Sequence, residues 1–432
     1  MLEKIKKKIL TIDQFLFKKF GSYKSTKVLE NIKEAQIIFS CLNKIDEPNN
    51  VRFVGGCVRK ALCGEKIDDI DLATTLIPEE VKTRLKEHNI KVVDTGILHG
   101  TVSAFVNKKK FEITTLRKDI STDGRHANVE FTKNWEEDAS RRDFTINAIY
   151  ADNEGRLFDP QNGVSDLKKG QIKFIGSPEE RIQEDYLRIL RYFRFFNLYS
   201  KADHDDEVIT NIKKNINGIN KISNERIFDE LKKIFQQENI YSLFSNNYSK
   251  EILLNIFPQF KYYKRLKNIN NLNRKIRDRY DYSLLLALVI LDETNDYEYF
   301  CHKYKTSNEI KKRYQNISKN YENLKSKKFS KEENIRKLIY NSNKDFVIDL
   351  LLFSVCLNKN IKDLDIDELI KYIINCKIPK FPISGDFLKK YGYKAGRELG
   401  EKLKALEETW IQNNFILDKK IIEKSLGRTK EN

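Results

Sequence analysis

The chain has 432 residues, more than a usual single domain, so its length predicts two to four domains. Hydrophobic residues make up 40% and charged residues 33%, and the absence of any run of roughly 18 apolar residues argues against a membrane protein. The net charge of +17 predicts attraction to polyanions. Six scattered cysteines without a CxxC pair argue against a zinc site or a disulfide framework and predict a reducing, cytoplasmic compartment.

The chain begins with an extension, residues 1–30, in which lysines are mixed with apolar residues, as in MLEKIKKKIL. This extension has neither a continuous apolar run nor a small-residue cleavage site, so we expect an amphipathic helix rather than a signal peptide. Apolar residues then recur near one helical face over 28–46, which predicts a further helix.

Strand patterns dominate the next part of the chain. VRFVGG is typical of a strand and a turn, and KVVDTG, TVSAFV and FEITTLR are predicted strands, the last with residues alternating inward and outward. DISTDGRHANV is poor in apolar residues and is predicted to be a mobile loop. From residue 134 onward the pattern turns helical. Strands followed by helices predict an α+β head with a small sheet and an all-helical remainder.

The stretch VRFVGGCVRKALCGEKIDDIDLATT holds the strongest chemical signal. Asp69 and Asp71 are separated by one residue, so on a strand both carboxylates project from the same face. Adjacent carboxylates repel unless a cation neutralises them, and Mg²⁺ prefers carboxylate and phosphate oxygens together. Gly55 and Gly56 let backbone N–H groups approach a polyphosphate, and Arg59 adds a positive charge. Paired acids alone also fit a surface turn, but this ordered set favours a metal-dependent phosphate site.

Two later stretches supply further candidates. Glu112 in FEITTLR lies on a strand that can run beside the aspartates, either as a third metal-site carboxylate or as an exposed strand residue. In RRDFTINAIYAD, Asp143 and Asn147 share a helical face at i, i+4, and Arg142 is suited to grip a triphosphate and a ribose. Taken alone, the second stretch fits an amphipathic helix with solvated charges better.

A third stretch, EDYLRILRYFRFF, repeats charged residues at intervals of three, namely Asp185, Arg188, Arg191 and Arg194. The arginines form either a ladder for phosphates or a solvated helix face. The Asp185 carboxylate accepts hydrogen bonds and the Arg188 guanidinium donates them in a fixed fork, so together they can read the edge of a nucleobase. The same two residues equally fit a plain i, i+3 salt bridge.

Together these stretches resemble the class II tRNA nucleotidyltransferases, the CCA-adding enzymes, and their relatives the bacterial poly(A) polymerases. The likeness rests on VGGCVRKALCGEKIDDIDLAT, GILHGTVSAFVNKKKFEITTLR, the DGRH loop, RRDFTINAI, FDPQNGVSDLKKGQIKFIG, EDYLRILRYFRFF and ISNERIFDEL. These motifs follow one another over residues 30–235, and residues 382–411 are similar to the tail of this family. The set is specific because seven motifs occur in order in one chain.

The resemblance implies an active site in the head of a polymerase β-like nucleotidyltransferase. Asp69 and Asp71 would bind two Mg²⁺ ions, with Glu112 as the third catalytic candidate. Nucleotide contacts are expected from the glycine turn and from RRDFTIN, that is, from Gly55, Gly56, Arg59, Arg142, Asp143 and Asn147. The reaction would be attack by the 3′-hydroxyl of tRNA on the α-phosphate of CTP or ATP, with release of pyrophosphate.

Nucleotide selection is expected to come from the protein itself. Asp185 and Arg188 would act as the template that accepts CTP or ATP, and Arg191 and Arg194 would contact phosphates. Residues 117–129 would form a flexible loop that assists the switch from C to A addition.

The family architecture predicts five parts. Residues 1–30 are the N-terminal helical extension, 31–152 the nucleotidyltransferase head, 153–235 the neck with nucleotide-selecting helices, 236–375 the helical body and 376–432 the helical, tRNA-binding tail. The expected partners are tRNA, CTP and ATP, with no membrane.

Two departures and three alternatives remain at this level. Lys60 stands where the family has Asp, and Tyr186 stands where Pro is common.

A poly(A) polymerase is the first alternative, but GILHGTVSAFV is the form typical of CCA addition. The second is a partial enzyme of the same family that adds only CC or only A. The presence of DISTDGRHANV argues against CC-only addition, and A-only addition stays open. The third, a non-catalytic RNA-binding protein, is disfavoured by the intact aspartate pair.

Overall fold

The computed structural model describes residues 22–44, 49–96, 100–122, 127–325, 331–357 and 363–426. The amphipathic helix expected in the N-terminal extension falls largely on residues 1–21, outside this part of the chain. The chain divides into two compact units. The first runs as far as Ile234 and includes Asn246–Ile252, and the second comprises Phe235–Ser245 and the residues from Leu253 onward.

The first unit contains a seven-stranded sheet and a separate two-stranded ribbon. The strands are β1 (Val51–Val54), β2 (Ile70–Thr74), β3 (Lys91–Gly96), β4 (Thr101–Val106), β5 (Lys109–Thr115), β6 (Arg117–Thr122), β7 (Ala127–Phe131), β8 (Tyr150–Ala151) and β9 (Leu157–Phe158). The sheet order is β3-β4-β5-β2-β1-β8-β9. Only β2 and β5 pair in parallel within this sheet; every other pairing in the described strands is antiparallel.

Alternation along the strands separates the main core face of the sheet from an opposite face, which holds a second, smaller apolar cluster beside the acids. Phe53, Leu72 and Ile113 are buried in one apolar cluster with the helices before and after β1. Successive side chains of a strand point to opposite faces. Asp71 and Glu112, which directly precede Leu72 and Ile113, therefore face the other side of the sheet. The strand pattern of the sequence therefore sets which side of the sheet carries the acids.

Helices surround the sheet and continue beyond it. As far as residue 235 they are α1 (Ser22–Glu30), α2 (Lys33–Leu42), α3 (Gly56–Cys63), α4 (Pro78–Glu87), α5 (Trp135–Ser140), α6 (Gly163–Lys169), α7 (Pro178–Glu184), α8 (Arg188–Tyr199), α9 (Asp206–Asn215) and α10 (Asn224–Phe235). Short 3₁₀ helices occupy Thr145–Asn147 and Ile216–Lys221. The single helix expected over 28–46 is interrupted between α1 and α2.

Later helices make up nearly all the regular structure of the remaining described residues. They are α11 (Tyr241–Ser245), α12 (Asn247–Ile256), α13 (Leu266–Ile269), α14 (Arg274–Arg277), α15 (Tyr282–Ile290), α16 (Tyr297–Lys303), α17 (Asn308–Lys319), α18 (Tyr321–Lys325), α19 (Glu332–Asn341), α20 (Lys344–Leu357), α21 (Asp363–Asn375), α22 (Gly385–Lys390), α23 (Arg397–Gln412) and α24 (Lys419–Leu426), with one 3₁₀ turn at Tyr263–Arg265. None of the described helices is both long and apolar enough to span a bilayer.

The α+β class is confirmed, with two local corrections. The remainder after residue 152 is not entirely helical, because β9 pairs with β8 and extends the sheet. The loop expected at DISTDGRHANV contributes strands β6 and β7 on either side of residues 123–126, which lie outside the described part of the chain. Backbone pairing needs no apolar side chains, and Lys118 opposite Glu130 adds an ion pair at 3.1 Å across this ribbon.

Candidate active site

The acidic side chains lie on two neighbouring strands and directly before one of them. Asp71 of β2 pairs in register with Glu112 of β5, and Asp69 lies two residues before Asp71. Burial raises the pKa of Asp71, and the negative charges of Glu112 and Asp69 raise it further, against the opposing charges of Arg142 and Arg59. A carboxyl whose pKa is raised by neighbouring carboxylates gains most from a bound cation.

This donor set fits a hard divalent cation, with one reservation in the side-chain arrangement. Carboxylate oxygens are the ligands that Mg²⁺ and similar ions prefer. However, the Lys110 Nζ donates to Glu112 Oε1 at 2.6 Å, and within the described residues no three acidic, His or Cys side chains form a ready metal-ligand group. Asp69 and Asp71 are therefore the stronger ligand candidates, and Glu112 joins them only if it leaves Lys110.

A glycine turn brings the start of α3 to the same side. Gly55 has φ 65° and ψ −115°, a backbone conformation that disfavours any residue with a Cβ. A Cβ at Gly55 would also lie 3.4 Å from the Asn147 carbonyl oxygen and 3.7 Å from Arg142 Nη1. At Gly56 a Cβ would meet nothing within 4 Å, so the first turn of α3 has open space beside it. The turn thus places a helix start, with its free N–H groups, near Arg142.

Arg59 and Asn147 belong to one buried network. The Arg59 guanidinium donates to the Asn147 side-chain oxygen and lies 4.8 Å from the Phe195 ring centre. Asn147 Nδ2 in turn donates to Asp143 Oδ1 at 2.8 Å. The expected proximity of Asp143 and Asn147 is present, although a 3₁₀ turn rather than an α-helix provides it.

Asp143 extends this network to the helix α8. Arg191 Nε donates to Asp143 Oδ2 at 2.7 Å. Burial alone would raise the pKa of Asp143, but Arg191 and the Asn147 hydrogen bond outweigh burial and hold that pKa well below its usual range. Asp143 therefore stays ionised, and its carboxylate already serves Arg191 and Asn147.

Arg142 is held by a buried carboxylate that the sequence reasoning missed. Asp138 is 1% exposed, and its Oδ2 accepts hydrogen bonds from Arg142 Nη2 at 3.0 Å and from the Tyr150 hydroxyl at 2.7 Å. Asp138 Oδ1 accepts a further bond from Arg141 Nη2 at 2.6 Å. The spacing of Asp138 from the two arginines, i, i+3 and i, i+4, was the available signal for this anchor. Arg142 Nη1 remains near Gly55.

The two residues predicted to read the nucleobase lie together but do not pair with each other. Asp185 occupies the extended link between α7 and α8 and accepts from Arg226 Nη2 at 2.7 Å. Arg188 Nη1 donates to Glu184 Oε2 at 2.6 Å and to the Arg181 carbonyl at 2.9 Å. The plain i, i+3 salt bridge is therefore not the arrangement observed, because each side chain has its own partner. Arg226 and Glu184 were missed as their supports.

The predicted phosphate ladder on α8 is instead bound to carboxylates. Arg191 contacts Asp143, and Arg194 contacts Glu230, which is 2% exposed. Both guanidinium groups also lie over the Phe195 ring, at 5.6 and 4.2 Å from its centre. A face with such partners is not a solvated one. Contacts of Arg191 and Arg194 with phosphate remain a prediction.

Lys60, the departure beside the glycine turn, points to another acid. Its Nζ lies 3.2 Å from Asp68 Oδ2, and Asp68 is also within 3.6 Å of Lys66. The Asp68 side chain is 55% exposed. The Lys60 charge is thus shared with a surface carboxylate that precedes Asp69, and both aspartates of the predicted metal pair are present.

The fold and the site together define a nucleotidyltransferase head followed by helical segments. Three family profiles match the chain: "Poly A polymerase head domain" over residues 51–173, "Probable RNA and SrmB- binding site of polymerase A" over 204–264, and "tRNA nucleotidyltransferase domain 2 putative" over 277–426.

Known relatives narrow this class. The mitochondrial CCA tRNA nucleotidyltransferase 1 of Mus musculus is 35% identical over 86% of this chain and 85% of its own, and the CCA-adding enzyme of Streptococcus uberis is 31% identical over 90% and 95%. The crystal structure of the Bacillus stearothermophilus CCA-adding enzyme in complex with CTP has the same fold, with a TM-score of 0.70, 24% identity and coverage of 91% of this chain and 96% of its own. The chain belongs to the family of CCA-adding tRNA nucleotidyltransferases.

Proposed function

We propose that the chain adds C, C and A to the 3′ end of tRNA, using CTP and ATP and no nucleic-acid template. Family membership supports this activity, and the observation that carries it is the group of acids Asp69, Asp71 and Glu112 close to Arg142 and Arg59, whose charges all act on the Asp71 carboxyl. The tRNA 3′-hydroxyl attacks the α-phosphate, forming the new P–O bond while the bond to pyrophosphate breaks.

Nucleotidyltransferases of this kind use divalent metal ions, and Mg²⁺ is the ion that we propose here. Asp69 and Asp71 are its proposed ligands, and Glu112 a third after release from Lys110. When bound, the metal activates the attacking hydroxyl and neutralises the leaving phosphate. The carboxylates would hold it beside Asp71, whose pKa is raised first by burial and then by the negative charges of Glu112 and Asp69.

The remaining residues bind and orient the nucleotide. We assign the triphosphate to the start of α3 at Gly56 and to the guanidinium groups of Arg59 and Arg142. Gly55 shapes the turn, because its own N–H donates to the Ile149 carbonyl oxygen at 3.1 Å. Because the Asp138 Oδ2 accepts hydrogen bonds from both Nε and Nη2 of Arg142, the arginine meets the nucleotide already oriented, which lowers the entropic cost of binding.

The neck residues are proposed to choose the base and steady the head. Asp185 and Arg188 present an acceptor and a donor edge to cytosine or adenine, each supported by a neighbouring ion pair. Arg191 and Asn147 keep Asp143 in place beside the ribose and phosphates. We assign Arg194 to the phosphates as well, once its guanidinium group has left Glu230, as proposed for Glu112 and Lys110.

The domain roles follow the family order. We propose residues 31–152 as the catalytic head, 153–235 as the neck, 236–375 as the body, and 376–432 as the tail, with body and tail binding tRNA; residues 1–30 form an extension. The net charge of +17 supports a polyanionic partner. All six cysteines are free thiols. Free thiols are typical of the reducing cytoplasm, which we propose as the location of the protein. Cell fractionation would distinguish the cytoplasm from an organelle.

The test is gel-resolved extension of three tRNA transcripts, ending before CCA, after C and after CC, with Mg²⁺ and CTP, ATP or both. Three additions that stop at CCA support the proposal. A ladder of A residues would identify a poly(A) polymerase, and extension of the CC-ending transcript alone would identify an A-adding enzyme. No extension, with tRNA still bound in a filter assay, would identify a non-catalytic RNA-binding protein.

A further inference from the structure

The Tyr186 ring packs against Gly218, next to the proposed base-reading residues. Gly218 is buried in the 3₁₀ helix Ile216–Lys221, and a Cβ on it would lie 2.0 Å from both Cδ1 and Cε1 of Tyr186. Its φ is not positive, so its backbone conformation does not demand glycine. Glycine is needed here because the Tyr186 ring occupies the space where any larger residue would place its side chain.

The ring is held on a second side as well. Lys221, the last residue of the same 3₁₀ helix, places its Nζ 5.4 Å from the centre of the Tyr186 ring. An ammonium group over an aromatic face is attracted by the ring quadrupole. Tyr186 is thus seated between Gly218 and Lys221, and we refer to these three residues as the tyrosine seat.

The tyrosine seat lies on the link between α7 and α8. Tyr186 directly follows Asp185, whose extended backbone has φ −153° and ψ 102°. The link then tightens into the helix, since Arg188 N donates to Asp185 O at 2.9 Å and Ile189 N to Tyr186 O at 3.1 Å. The ion pairs with Arg226 and Glu184 fix the side chains of Asp185 and Arg188, whereas the tyrosine seat fixes the backbone between them.

We propose that Tyr186 and Gly218 are positioning residues that set the choice between CTP and ATP through the orientation of Asp185. This inference rests on the proposed function, in which Asp185 reads the base. Cytosine and adenine offer different hydrogen-bonding edges to one fixed pair of side chains. A shift of Asp185 therefore changes the two nucleotides unequally, and a displacement of about 1 Å at such a site can cost on the order of 100-fold.

Gly218→Ala is the main variant, because the added methyl group must push the Tyr186 ring away. The readout is kcat/KM for CTP divided by kcat/KM for ATP on one transcript that ends before CCA. We expect this ratio to change by at least about fivefold, a small part of the effect that misplacement can produce. A general loss of folding or of metal-dependent chemistry would lower both values together and leave the ratio unaltered.

Tyr186→Ala and the double variant separate the contact from other effects. Without the ring, the Gly218→Ala methyl group has no ring to displace, so its additional effect on the ratio should vanish in the Tyr186→Ala background. Tyr186→Phe keeps the ring, so this variant should have the same CTP-to-ATP ratio as the wild-type chain. Gly400→Ala, whose Cβ would meet nothing within 4 Å, is the matched control for thermal stability.

The outcomes are distinct. If the wild-type chain adds no CCA, the proposed function itself fails. If it does, an unchanged ratio in both Gly218→Ala and Tyr186→Ala, or an equal loss with both nucleotides, overturns the positioning role. Should Gly218→Ala fail to fold by circular dichroism, the ratio in Tyr186→Ala decides, since a changed ratio supports the role and an unchanged one removes it.

Discussion

Arg191 on α8 donates its Nε to Asp143 Oδ2 at 2.7 Å, and this pair ties the sheet-bearing part of the first unit to the helix that follows Asp185. Asp143 also accepts from Asn147, which accepts from Arg59 on α3. The predicted triphosphate residue and the predicted base-reading turn are consequently connected through one chain of buried polar contacts.

Removing Arg191 is expected to destabilise the first unit strongly. In Arg191→Gln the Asp143 carboxylate keeps its burial but loses its main counter-charge, and breaking a buried ion pair costs about 3–5 kcal/mol. Urea unfolding of wild type and variant at pH 7 measures this loss. The double variant Asp143→Asn/Arg191→Gln should recover part of it, because no unpaired charge remains. A loss below about 1 kcal/mol, typical of a surface pair, would contradict the structural role.

Asp71→Ala is expected to abolish nucleotide addition while tRNA affinity stays nearly intact. Removing a group that stabilises developing charge typically costs about 10²–10³-fold or more in rate. Single-turnover extension of a CC-ending transcript measures the loss, and a filter assay measures tRNA binding. Asp68→Ala is the matched control from the same DDID stretch, because Asp68 is an exposed partner of Lys60 and Lys66. Wild-type turnover in Asp71→Ala would remove the metal assignment.

The parts that sequence patterns predicted well are local. The register of β2 with β5 sets Glu112 beside Asp71 as the strand pattern suggested, whereas Asp69 precedes β2, so that its sharing a face with Asp71 stays a prediction. The glycine turn followed from its position between a strand and a helix. Side-chain direction on each strand follows from backbone periodicity over a few residues, whereas the pairing of β2 with β5 joins parts of the chain that are far apart in sequence.

The partners of the arginines were not predictable in this way. Arg194 finds Glu230, and Asp185 finds Arg226, both across about forty residues of helical chain. Nothing in a helical repeat of arginines distinguishes a face open to phosphate from one bound to buried acids. The 3₁₀ turn at Thr145–Asn147 was likewise missed. The Asn147 side chain reaches Asp143 at the i, i+4 spacing that an α-helix would also give, so the sequence pattern does not distinguish the two.

Tyr150→Phe is expected to loosen Arg142 without removing any charge. The Tyr150 hydroxyl donates to Asp138 Oδ2 at 2.7 Å and accepts from Arg142 Nε at 3.0 Å. Hydrogen bonds to charged groups contribute about 1.5–3 kcal/mol, so stability should fall by that order. The KM for CTP and for ATP should rise together, because Arg142 is assigned to the shared triphosphate. Steady-state kinetics with both nucleotides provides the measurement, and a change confined to one nucleotide would contradict the assignment.

The Asp138 carboxylate should also make stability depend on acidity. Burial would raise the pKa of Asp138, yet Arg142 and Arg141 outweigh burial and hold that pKa far below its usual range. Its stabilising effect is therefore fully present above the ordinary pKa of an aspartate, about 3.9, and is lost as the pH falls below that value. Asp138→Asn should flatten the acid limb of a stability profile between about pH 4 and pH 2. An unchanged acid limb would refute the pairing.

His204 should make the free energy of unfolding depend on pH in a second, milder way, because its buried ring is neutral in the folded chain, whereas Asp138 is charged. Its ring is 7% exposed, with Nδ1 3.0 Å from the Tyr192 hydroxyl and Nε2 2.7 Å from Ser249 Oγ. Burial lowers the pKa of His204 to about 4, although the nearby Asp203 opposes that shift. The unfolded chain therefore binds a proton near pH 6.5 that the folded chain does not, so stability is fully present above about pH 6.5 and declines as the pH falls toward the folded value. Urea unfolding at intervals between pH 4.5 and pH 7.5 should show this slope in the wild-type chain and a shallower one in His204→Gln, which retains polar atoms but does not titrate. Equal slopes in the two chains would show that His204 does not contribute to the pH dependence.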